Sequence, residues 1–161
     1  MRHVRVIALL AVTFSVLAPA QAFADATLFL GVNTSPANRT TTGFAIGAGL
    51  LIVGFEFEFA NTTDDTIAKA PALKTGMGNV LLQTPFAVAG IQPYVTVGAG
   101  GYHEELGTTI NNTGFATNAG GGLKISLVGP VRLRVDYRLL TPVGASTTPA
   151  HRVYAGVNLK F

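Results

Sequence analysis

The sequence predicts an all-β fold: an eight-stranded antiparallel up-and-down transmembrane β-barrel, preceded by a cleavable signal peptide. Three observations carry that expectation. Val153, Ala155, Val157, Leu159 and Phe161 alternate strictly with Arg152, Tyr154, Gly156, Asn158 and Lys160, the period of two of a strand with one apolar and one polar face. Seven earlier segments alternate in the same way. After Ala18 no uncharged apolar run reaches the roughly 20 residues of a spanning helix. The apolar character is instead spread over alternate positions, as in a barrel that crosses a membrane.

At the amino terminus, Arg2 and Arg5 precede the apolar run from Val6 to Ala18. Pro19 and the small-residue sites Ala20-Gln21-Ala22 and Ala22-Phe23-Ala24 follow. A positive region, a hydrophobic region and an A-x-A site in that order make a secretory signal. Residues 1–24 are therefore expected to be removed, by cleavage after Ala24 or alternatively after Ala22, and residues 25–161 to form one outer-membrane-type barrel domain. The chain carries 11 Lys and Arg against 8 Asp and Glu; without Arg2 and Arg5, 11 − 2 = 9 cations face 8 acids. That near-balance leaves no basic patch suited to nucleic acid. With 0 Cys, neither a disulfide framework nor a thiolate metal site exists.

The eight segments are read at 26–33, 42–51, 52–60, 73–84, 90–102, 114–127, 131–140 and 151–161. Short connections around Leu51, Pro85–Ala89 and Val128–Pro130 alternate with longer ones at Thr34–Thr41, Asn61–Ala72, His103–Thr113 and Thr141–Ala150. Even strand count, short turns at one end and longer loops at the other fit a membrane barrel. In the second segment Phe44, Ile46, Ala48 and Leu50 oppose Gly43, Ala45, Gly47 and Gly49. In the third, Val53, Phe55, Phe57 and Phe59 oppose Glu56 and Glu58. In the sixth, Phe115, Ala119, Leu123 and Ile125 oppose Ala116, Asn118, Gly120, Gly122 and Lys124. In the seventh, Val131, Leu133, Val135, Tyr137 and Leu139 oppose Arg132, Arg134, Asp136 and Arg138. A soluble sandwich could hold such charges in water, but faces of Gly and Ala cannot build its packed core. They do make room in a narrow barrel for long charged side chains from the far wall.

The third and seventh segments lie four places apart in a ring of eight. Glu56 and Glu58 are thus expected to point across the lumen toward Arg132, Arg134 and Arg138. Asp136, Arg152, Lys124 and Lys160 belong on or near the same wall, with Asn79, Gln83, Gln92 and Tyr94 adding polar contacts. Burying such charges is tolerable when they are paired and hydrogen-bonded. An eight-stranded bore is filled by its own side chains, so the lumen is expected to be plugged.

Catalytic machinery is harder to find. His103-Glu104-Glu105, with Asp64, Asp65 and His151, is the nearest constellation, yet no positioned nucleophile accompanies it; Ser35 and Ser146 sit in loops. No catalytic residue, cofactor or metal site is expected. Soft divalent-cation bridging from the acidic loop residues to lipopolysaccharide phosphates needs no rigid geometry. The glycine clusters Gly76-Met77-Gly78, Gly98-Ala99-Gly100-Gly101 and Gly120-Gly121-Gly122 match no phosphate-binding fingerprint.

The closing strand resembles the assembly signal of bacterial outer-membrane β-barrels, polar-x-Gly-x-x-apolar-x-aromatic, with Tyr154, Gly156, Leu159 and Phe161 in those places. With the signal and the eight segments, residues 25–161 resemble the small outer-membrane barrel family, the group of the outer-membrane protein A barrel domain and outer-membrane protein X. Asn79-Val80-Leu81-Leu82 and the run from Gln92 to Gly100 resemble a central hairpin of such domains. The resemblance implies residence in the bacterial outer membrane, and a non-enzymatic role in structure and surface contact. Its implied partners are outer-membrane lipid, lipopolysaccharide and the barrel-assembly machinery, around a monomer that binds no nucleic acid. Two competing roles are a lipid-A-modifying enzyme using His103 with a loop carboxylate, and a narrow small-solute channel. The chain has 0 Trp, so its aromatic girdle rests on Phe and Tyr, and its loops are short for an adhesin.

Overall fold

The computed structural model describes residues 22–143 and 149–161; the expected signal segment before Ala22 lies outside them, as does Ser146. The described residues form eight strands: β1 (Ala22–Asn33), β2 (Arg39–Leu50), β3 (Val53–Thr62), β4 (Ala72–Gln83), β5 (Ile91–Leu106), β6 (Ile110–Val128), β7 (Val131–Pro142) and β8 (Ala150–Lys160). Each pairs antiparallel with its sequence neighbour. β8 returns to β1, from Asp25↔Lys160 to Asn33↔Arg152, so the ring is closed. Closure removes every sheet edge and satisfies the backbone ladder internally. One end carries Ala22, Phe161 and the connections at 51–52, 84–90 and 129–130; here it is termed the turn end. The loop end carries 34–38, 63–71 and 107–109.

Side chains alternate across the wall, and the partition is inverted relative to a water-soluble protein. Outward Phe55 is 63% exposed, whereas inward Arg134 is 0% exposed. Leu28, Ile46, Val97, Phe115 and Val157 extend the apolar exterior around the ring. So wide an apolar surface is a liability in water and the natural state in hydrocarbon. Phe55 and Phe57 converge on no dry core, which disposes of the sandwich alternative. The faces of β2, β3, β6, β7 and β8 are those read from the sequence.

Two boundaries differ from expectation. The connection at His103–Thr113 is a continued ladder, from Tyr102↔Gly114 to Leu106↔Ile110. Its turn is only Gly107–Thr109, with Gly107 at φ +53°. The left-handed glycine supplies the reversal, and polar Asn and Thr on both faces leave no period-two contrast to read. β1 in turn begins at Ala22, so Ala22, Phe23 and Ala24, the residues of the second A-x-A site, pair with Leu50, Gly49 and Ala48.

Candidate functional site

The inward positions of three strands, β3, β7 and β8, converge on a charged layer across the middle of the lumen. Arg134, Arg138 and Arg152 meet Glu56, Glu58 and Asp136, and none of the six is more than 5% exposed. Arg134 grips Glu56 through both terminal nitrogens and reaches Asp136 at 3.0 Å. Arg138 contacts Glu56 at 3.0 Å, Glu58 at 3.4 Å and Asp136 at 2.8 Å. Arg152 pairs with Glu58 at 3.1 Å. Three cations face three carboxylates, the condition under which buried charge is tolerated. β7 can present Arg134, Asp136 and Arg138 together because residues two apart share a face.

Two tyrosines complete this layer. Tyr94 donates to Asp136 and accepts from Arg134 Nε at 2.7 Å. Tyr154 donates to Glu58 at 3.0 Å and stacks on Phe29, with ring centroids 4.1 Å apart. The rings need space, which the inward glycines provide: a Cβ at Gly122 would stand 2.6 Å from the Tyr94 hydroxyl.

Below, toward the turn end, Lys124 and Arg132 share Asp25 at 2.6 and 3.0 Å. Arg132 also donates to Asn158 and Gln92. Contrary to the expectation from the opposed walls, Arg132 therefore does not meet Glu56 or Glu58. Asp25, two residues before Thr27 on the same face, captures it. Lys160 stays out of the lumen. It is the cross-strand partner of Asp25 but lies exposed at the turn end, its Nζ 5.4 Å from the Phe23 ring centroid. Above, toward the loop end, Leu73, Met77, Tyr102, Ala116, Leu140 and Ala150 form an apolar cluster inside the barrel.

Asp25, Phe29 and this apolar cluster escaped the sequence reading. In the sequence Asp25 reads only as the first residue after the A-x-A site. Leu73 and Met77 share a face with Asn79 and Gln83, so the period of two carried their signal. Of the closing-strand residues, Tyr154 and Gly156 face the lumen, Gly156 against the Phe29 backbone, and Leu159 faces out. The Phe161 amide donates to Ala24 O at 2.8 Å across the β1–β8 seam.

The residues of the enzymatic alternative do not assemble as a loop cluster. His103, Glu104 and Glu105 lie on β5, where Glu104 is buried and Glu105 exposed. His103 Nδ1 is 2.7 Å from Thr113 Oγ1, and His151 Nδ1 is 2.7 Å from the Tyr137 hydroxyl. Asp65 is spent on its own loop, accepting from the amides of Ile67 and Ala68. Among the described residues no group of three His, Cys, Asp or Glu side chains is placed to hold a metal ion.

Solved structures share this architecture. The N-terminal β-barrel domain of Pseudomonas aeruginosa OprF superposes with a TM-score of 0.67 at 15% identity, covering 86% of this chain and 97% of that one. The fold is that of the small outer-membrane barrels. Neisserial surface protein A gives a TM-score of 0.62 at 15% identity, over 87% of this chain and 96% of that one. The outer membrane enzyme PagL gives 0.55 at 14% identity, over 84% and 98%. No protein-family model and no curated protein matches the sequence.

Proposed function

We propose that the chain is an integral protein of the bacterial outer membrane, exported by its amino-terminal signal and inserted by the barrel-assembly machinery as a monomer. Its role is structural, with surface contact through the loop end, and it is not an enzyme. The lumen is a plug. The observation that carries this reading is the layer of Arg134, Arg138 and Arg152 against Glu56, Glu58 and Asp136, which ties β3, β7 and β8 across the bore. The apolar cluster above it has no hydration to offer an ion. Lipid and lipopolysaccharide surround the apolar exterior. Two measurements test the reading. An unboiled sample from membrane fractions is expected to migrate differently from a boiled one, as a closed barrel does, and planar bilayers are expected to show no reproducible conductance steps. Regular open steps would replace the plug with a channel.

A second reading, a lipid-A-modifying enzyme, draws on one contact, the His103–Thr113 pair on the outer wall, and on the likeness to PagL. Mass spectrometry of lipid A from cells with and without the protein separates the two. An altered acylation pattern that disappears in His103→Ala would favour the enzyme.

A further inference from the structure

The lumen charges fall into layers of unequal balance. Across the middle, three guanidinium groups face three carboxylates. Toward the turn end, Lys124 and Arg132 both bind the same oxygen, Asp25 Oδ2, so one positive charge is left over. Lys160 stands at the mouth beneath them with no ion pair among the described residues. Among the described residues no other acidic side chain serves this end: Asp64 and Asp65 lie in the 63–71 connection, and Glu104 and Glu105 at the loop end of β5. No ion pair joins the Phe161 carboxylate to any of the three cations. Two buried cations that share one carboxylate leave a net positive charge, which a second anion would neutralise.

Beside Arg132 a cavity of about 350 Å³ opens at the turn end, walled by Arg132, Lys160, Gln92 and Ser126 with the rings of Phe23 and Phe86. Arg132 is 5% exposed and held by Asn158, Gln92 and Asp25 at 2.7, 3.1 and 3.0 Å. It is a fixed fork at the roof of the cavity, while Lys160 is a mobile point charge at its rim. That pairing suits a phosphate, which accepts bidentate contact and carries more than one negative charge. Leu51, Ile52 and Val88 ring the same end and are exposed, so both a dissolved anion and a headgroup of the adjoining leaflet can reach it.

We infer that the turn-end cavity is a binding site for a phosphate group, which supplies the negative charge lacking around Asp25 and lays any attached apolar part on Phe86, a wall that either cleavage site leaves in place. Its facing the periplasm rests on the proposed function; the anion chemistry does not. The test is calorimetric titration of the folded barrel in maltoside micelles, with inorganic phosphate in one arm and short-chain phosphatidylglycerol in the other. Saturable binding of inorganic phosphate is expected, weakened about tenfold or more in Lys160→Ala, the worth of one charge-assisted hydrogen bond. Lys160→Arg and the loop-end control Lys74→Ala are expected to bind like the parent. Binding of the lipid alone, with the same variant pattern, also supports the site and assigns the phosphate to a headgroup. Lys160 is exposed, so these variants fold, as unboiled gel mobility will report. No saturable binding of either probe, or an affinity that Lys160→Ala leaves unchanged or Lys74→Ala weakens equally, overturns the inference.

Discussion

Glu56 is the residue on which the lumen turns, because it accepts from Arg134 and Arg138 at once. Glu56→Ala leaves two buried guanidinium groups short of a counter-charge, and breaking a buried pair in this way costs about 3–5 kcal/mol. Urea unfolding in detergent is expected to show that loss, while Lys160→Ala, at an exposed position, stays within about 0.5 kcal/mol of the parent. Equal stability of Glu56→Ala and the parent would mean that the cross-lumen clamp is not made. The glycines offer a second contrast. Gly122 faces the Tyr94 hydroxyl at a distance no added carbon can share, whereas a Cβ at Gly78, on the outer wall, meets nothing nearer than 3.8 Å. Gly122→Val is expected to lose about 1–3 kcal/mol through overpacking, and Gly78→Ala less than about 0.5 kcal/mol. The same urea titration checks both, and the reverse order would mean that the faces have been exchanged.

Among the elements, β8 differs from the others in having to close the ring against β1. That seam ends in two backbone hydrogen bonds between Ala24 and Phe161, at 2.8 and 3.3 Å. In a chain cleaved after Ala22, which keeps Ala24, deleting Phe161 removes both and no lumen contact, so the refolded protein is expected to lose no more than about 1–3 kcal/mol. The amount found in membranes of living cells is expected to fall much further, as the assembly signal proposed for the closing aromatic requires. Immunoblots of membrane fractions beside unfolding curves measure the two effects separately. Normal membrane levels of the truncated protein would deny the assembly signal at Tyr154, Gly156, Leu159 and Phe161. β5 and β6 are the exceptional pair, at 16 and 19 residues against 10 to 12 for the rest. Their extra length rises beyond the apolar band as a hairpin of Asn, Thr and Glu.

At the scale of the whole molecule, the ring and its two faces were legible in the sequence wherever Phe or Val alternated with Glu, Arg or Gly, as in β3 and β7. Partner choice inside was not. Whether Arg132 meets Glu56 or Asp25 depends on the stagger between strands, and no periodicity encodes stagger. Asp25 in particular carries no partner signal in the sequence, where it follows the A-x-A site, whereas in the fold it lies within β1. The β5–β6 hairpin was missed for a related reason, since a strand polar on both faces has no contrast to reveal it. These distinctions bear on orientation, the one property that a closed cylinder does not display by itself. Both ends of the described chain and the connections at 84–90 and 129–130 lie together, and the β5–β6 hairpin points the other way. The chain has 0 Cys, so a single introduced thiol reports one location without background. In intact cells a membrane-impermeant maleimide is expected to label Thr108→Cys at the hairpin tip and to spare Ala87→Cys on the opposite end until the outer membrane is permeabilised. Labelling of Ala87→Cys but not Thr108→Cys would invert the barrel, and would place the cavity of Arg132 and Lys160 on the outside of the cell.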